Sequence, residues 1–183
     1  REAFAQLSHV GARAFDVDAV TVLGNATKFA EAVPQGTVLV LDATASLKVL
    51  AAQTSSQLLT QSGARLARTV MYGQGRCAMV ALEGRQRDVT TDDLCALLFE
   101  RCCWDAQLRA ALKGTSSELT QVFVGDNCRS LTAPMSDATV SRSAALVAMQ
   151  LERWLAHGLP DAGQLGVGVQ QGDGIGMSWS SAW

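Results

Sequence analysis

Imidazole is scarce in this chain, with only His9 and His157 to supply it, and Tyr72 is the sole tyrosine. No HExxH or Cys–His family pattern can be built from so few groups. Aromatic residues are 5 % of the total, too few to form a stacking platform for single-stranded nucleic acid. No lysine follows Lys113, so no Walker-type lysine accompanies the glycines near the C-terminus. No CxxC is present, no nucleophile-elbow GxSxG, no low-complexity segment and no fixed-period repeat. Charged residues are 17 %, and 15 Lys plus Arg stand against 17 Asp plus Glu, a formal net charge of -2. That balance gives no electrostatic signal for nucleic acid or anionic lipid. The arginines are scattered, and the one local pair, Arg85 and Arg87, lies beside Glu83 and Asp88. No apolar run approaches the ~20 residues that a membrane span needs. The most apolar stretch, Leu146 to Leu155, is broken by Gln150, Glu152 and Arg153.

What is present is core-forming material. Hydrophobic residues are 48 % of 183, enough for a packed domain. Five cysteines make an odd count, and the adjacency of Cys102 and Cys103 is awkward for a disulfide framework. Cys95 and Cys102 fall two helical turns apart on an apolar face. We expect reduced, buried thiols and hence an intracellular protein, with no metal site. The chain begins at Arg1 and its first methionine is Met71, which reads as a processed or trimmed product. The cytosol, or an organelle after removal of a targeting peptide, is the expected compartment.

Periodicity organises the chain. Residues 2–15 predict an amphipathic helix, and AVTVLG (19–24) a short strand. Asn25 then caps a short helix that Pro34 and Gly36 end. TVLVLD (37–42) is a continuous β-branched and leucine run, and predicts a buried central strand. The helix after it, with Leu47, Leu50 and Leu58 near helical spacing, stops at Gly63, and TSS (54–56) is a place for it to break in two. LARTVMY and RCAMVAL, joined by Gly73-Gln74-Gly75, predict a hairpin, although 64–70 is also compatible with helix. Thr90 opens the next helix, and DAQLRAALK forms another that ends at Gly114. ELTQVFVG (118–125) reads as a strand, and Ser136 caps the clearest helix, which Gly158 and Pro160 terminate.

The last segment, GQLGVGVQQGDGIGMSW (163–179), could cradle a phosphate or form a strand pair. Leu165, Val167 and Val169 alternate with Gly166 and Gly168, and beyond a polar turn Ile175, Met177 and Trp179 alternate with Gly174, Gly176 and Ser178. Period two on both sides of a turn predicts a β-hairpin with one bare face. A dinucleotide loop needs a helix after its glycines, and only SSAW follows Trp179. Bare strand faces admit close neighbours, so Gly166, Gly168, Gly174, Gly176, Trp179 and the terminal Trp183 are candidate interaction residues.

The expected fold is therefore α/β or α+β: a single domain over 1–160 with a mixed sheet flanked by helices, and a glycine-rich hairpin over 161–183 packed on it or on a partner. Three residues are candidates for chemistry. Asp42 and Asp126 end predicted strands, where α/β folds bind ligands. Asp42 could equally cap the helix that follows, and Gly-Asp-Asn around Asp126 favours a turn by itself. Cys128 stands next to Arg129, whose guanidinium could stabilise a thiolate. His157, in the last turn of its helix, suits the negative dipole end better than catalysis. With no complete catalytic pattern and no cofactor signature, the expectation is a non-catalytic subunit that docks with other protein subunits. The alternative is a small enzyme or ligand-binding protein with a site at Asp42, Asp126 and Cys128.

Overall fold

The computed structural model describes residues 15–113, 135–172 and 177–182. All of the predicted helix over 2–15 except Phe15, the predicted strand 118–125, Asp126, Cys128, Gly174, Gly176 and Trp183 lie outside the described residues. The chain divides into two compact units, one of Arg1–Val38 with Ser46–Ala64, the other of Leu39–Ala45 with Arg65–Trp183.

The described part of the first unit is helical: α1 (Ala19–Leu23), α2 (Ala26–Ala32), α3 (Leu47–Ser55) and α4 (Gln57–Ser62). The segment 19–24 is not the strand its β-branched residues suggest. Asp18 caps it, its carboxylate accepting from the Thr21 amide at 3.0 Å and from the Thr21 hydroxyl at 3.2 Å, and this local bonding outweighs propensity. Asn25 caps α2 as its position suggests, accepting from the Lys28 amide at 3.0 Å. The break after TSS is real. The Ser56 amide closes α3 on the Gln53 carbonyl, while its hydroxyl accepts from the Leu59 amide at 3.3 Å and donates to the Leu23 carbonyl. Gly63 ends α4 in the left-handed region, at φ 71°. Phe29, Val49 and Leu59 are buried here.

The second unit holds a mixed sheet of five strands in the order β1-β2-β3-β4-β5. These are β1 (Leu39–Asp42), β2 (Arg65–Tyr72), β3 (Cys77–Leu82), β4 (Gln164–Gln170) and β5 (Met177–Ala182). The β1–β2 pair is parallel and the other pairs are antiparallel. The helices are α5 (Thr91–Arg101), α6 (Ala106–Lys113) and α7 (Asp137–His157). TVLVLD is not the central strand. It contributes four residues to β1, one of the two edge strands of the sheet as described, with Leu41 45 % exposed. The central strand is β3, in which Cys77 through Leu82 are fully buried. Both segments are apolar throughout, and strand order depends on pairing partners distant in sequence, which an apolar run does not encode.

The sheet is covered on both faces. Met79 and Ala81 of β3 and Leu165, Val167 and Val169 of β4 pack with Leu94, Cys95 and Leu98 of α5 and Leu108 of α6. On the other face, Ala78, Val80 and Leu82 pack with Val147 and Trp154 of α7. The hairpin at the C-terminus forms, but without the one bare face that alternation predicts: the register sets Gly168 opposite Trp179 and Gln170 opposite Met177, so Trp179 and Met177 take the parity of the β4 glycines. The turn 73–75 is wedged between helices. Gly73, Gln74 and Gly75 all have positive φ. A Cβ on Gly73 would overlap the Ala111 carbonyl oxygen of α6, and one on Gly75 would overlap the Thr139 methyl of α7. These two glycines are required by close approach as well as by backbone conformation.

Candidate functional site

Asp42 ends β1, as the sequence places it. Because β1 and β2 run parallel with Asp42 opposite Arg68, the two side chains share one face of the sheet. Arg68 Nη1 lies 3.3 Å from Asp42 Oδ2, and the two side chains are 4 % and 0 % exposed. The pair is ionic, without the alignment of a hydrogen bond. The other carboxylate oxygen accepts from the Thr44 amide at 2.9 Å and from the Thr44 hydroxyl at 2.7 Å. Asp42 therefore closes an Asx turn. The helix cap expected of it belongs to Ser46, which accepts from the Val49 amide at 3.4 Å. The acid is consumed on both oxygens by groups of the chain itself.

A second buried carboxylate, which sequence reasoning left aside, lies two residues beyond Ala81, the cross-strand partner of Arg68. Glu83 follows β3 and is 1 % exposed. Its Oε2 lies 2.7 Å from Arg87 Nε, and its Oε1 accepts from the Thr91 amide at 3.3 Å. Thr91 begins α5, so Glu83 occupies the place at the helix start where an external anion would bind. The guanidinium of Arg65 donates through Nε and Nη2 to the Glu83 carbonyl. Burial, the largest influence, holds the Arg65 pKa below its ordinary value. The arginine pair noted in the sequence is split: Arg87 turns inward to Glu83, and Arg85 meets Asp161 at 3.3 Å on the surface.

The four described thiols are free; Cys77 and Cys95 are buried, Cys102 is half-buried and Cys103 is exposed. Burial pushes the Cys77 thiol up to about 12, and it also raises Cys95 and Cys102. None of these three is an activated nucleophile at neutral pH. Among the described residues, no group of three or more His, Cys, Asp or Glu side chains could hold a metal ion. His157 is exposed in the last turn of α7. No described helix is long and apolar enough to cross a membrane.

Gly166 and Gly168 are buried, and they stand opposite Val80 and Ala78. Cross-strand partners share a face, so the bare face of β4 lies on the side that α7 covers. Trp179 pairs through its backbone with Gly168. Two of the concave regions among the described residues have apolar linings. One is an apolar groove of about 430 Å³ beside Leu41, Met71 and Met135, roofed by Ala144, Val147 and Leu151 of α7. The other is a cavity of about 450 Å³ at the C-terminal ends of α5 and α6, lined by Tyr72, Phe99 and Leu112 among others. No family model matches this chain, and no curated protein matches it either.

Proposed function

We propose that this chain is a non-catalytic interaction subunit of a larger intracellular assembly, with other protein subunits as its partners. The fate of Asp42 supports this reading most directly. The one candidate acid with a described position spends both oxygens on Arg68 and Thr44. Large apolar side chains stand at the surface instead, Trp104 at 67 % and Met149 at 65 % exposure. In this reading Trp179 and Trp183 contribute to partner contact as well.

The test is the native mass of the protein isolated gently from its source cells. A discrete mass well above 19.3 kDa is expected. Trp104→Asp combined with Met149→Asp should return the protein to monomer mass with an unchanged circular dichroism spectrum, since both side chains are exposed. A wild-type protein that runs as a monomer under the same conditions would sink the proposal.

A further inference from the structure

Beyond that reading, and independently of it, we propose that the cavity at the C-terminal ends of α5 and α6 binds a small amphipathic acid: an apolar body carrying one carboxylate. Its lining is Tyr72 at the end of β2, Phe99, Cys102 and Cys103 at the end of α5, and Arg109, Leu112 and Lys113 of α6. A volume of about 450 Å³ lies in the range of small-molecule sites.

The floor is apolar. The rings of Tyr72 and Phe99 meet edge to face, with centroids 5.9 Å apart, and Phe99 still leaves 51 % of its surface exposed. The Cys102 thiol donates to the Leu98 carbonyl at 3.3 Å, and burial raises its pKa, so it stays neutral and lines the cavity as a small soft group.

Besides Leu112 and the Cys103 thiol, the lining holds a phenol, a guanidinium and an ammonium, each able to donate. Burial pushes the Tyr72 phenol up to about 12, which keeps its proton in place as a donor. Among the described residues Arg109 uses only Nη1, donating to the carbonyls of Cys102 and Cys103 at 2.8 and 2.9 Å. That contact caps α5 and leaves the Nε–Nη2 edge to other acceptors. Lys113 has no carboxylate partner among the described residues, and Asp105, on the α5–α6 turn, is taken by Arg101 at 3.7 Å. The helix ends supply negative partial charge of only about half a unit each. Among the described lining residues there are two full cations and no carboxylate, so the charge balance of the lining is positive. An apolar ligand with a carboxylate satisfies both the floor and the rim, whereas a neutral one satisfies the floor alone.

A carboxylate on an apolar body could come from a free alkyl or aryl acid or from the carboxyl end of a peptide. The experiment is titration calorimetry of the whole chain with octanoate, with octanamide, and with a short N-acetylated peptide ending in leucine. Saturable binding of at least one carboxylate is expected, with octanamide weaker than octanoate by about tenfold or more. Lys113→Gln and Tyr72→Phe should each weaken carboxylate binding and leave octanamide unchanged. Lys113 is exposed, so its variant tests the site without threatening the fold. Tighter binding of the peptide than of octanoate assigns the ligand to polypeptide, and the reverse order assigns it to a free acid. Absence of saturable binding by both carboxylates would overturn the proposal. So would equal affinity for octanoate and octanamide, or unchanged carboxylate binding in both variants. The measurement uses the isolated chain, so its failure leaves the subunit reading intact, just as a monomeric native mass leaves the cavity untested by that route but open to this one.

Discussion

Arg68 occupies a position on β2 that its neighbours would assign to an apolar side chain. It shares strand parity with Leu66, Val70 and Tyr72, and its cross-strand partner Ala81 is fully buried. A cation on that face is tolerable only because Asp42 lies beside it on β1. Asp42→Ala should therefore destabilise the protein by about 3–5 kcal/mol, because it strands a buried charge. Asp42→Ala combined with Arg68→Met removes both charges and should recover most of that loss. Chemical denaturation of the two variants measures it, and a single variant as stable as the parent would show that the pair contributes nothing. Asp42 was visible in the sequence as an acid at a strand end, but its role was not. The signal for Arg68 was also present, as a charge on the inward parity of an apolar strand. Its partner is 26 residues away and no local rule connects the two.

Elements whose limits are set by local chemistry were legible. Thr90, Ser136 and Asn25 cap the helices they precede, and Gly63 stops the helix it follows. At α5 the bonding is reciprocal: the Asp93 amide donates to the Thr90 hydroxyl oxygen at 3.3 Å, and the Thr90 amide donates to the Asp93 carboxylate at 2.8 Å. Thr90→Ala should cost about 1 kcal/mol at neutral pH. The hydrogen bonds from the Thr90 amide and hydroxyl hold the Asp93 pKa below its ordinary value. A depressed folded-state pKa contributes stability above the unfolded value, roughly 4, and that contribution is lost as pH falls through the folded value. The stability gap between parent and Thr90→Ala should thus narrow as the solution is acidified below about pH 4. A gap constant from neutral pH to acid would refute the coupling. One local signal was passed over, and one element that depends on distant partners was not legible. The run 19–24 reads as strand until the Asp18 carboxylate is seen to bond into the first turn, and TVLVLD carries no mark that distinguishes an outer from an inner strand.

Across the whole molecule, the mixed sheet between helices and the terminal hairpin followed from patterning, because alternation and helical spacing report burial directly. The same layering grades the thiols by depth. Cys103 is exposed, Cys102 is half-buried, and Cys77 and Cys95 lie in the core. Among the described thiols, alkylation under native conditions should modify Cys103 first and Cys102 more slowly, while Cys77 and Cys95 should react only at the rate of global opening. Peptide mass mapping over time checks the order, and early labelling of Cys77 would contradict the packing of β3. The path of the chain has one more effect. Leu39–Ala45 belongs with the sheet, yet Ser46–Ala64 separates it in sequence from Arg65 onward, so the polypeptide passes between the two units three times. Neither unit can be excised as a continuous fragment. A piece starting at Arg65 would keep a buried guanidinium and leave its carboxylate behind, and a piece ending at Ala64 would carry β1 without the strand that pairs with it. A chain break between Ala64 and Arg65 would therefore part β1 from β2 and divide the Asp42–Arg68 pair between two products.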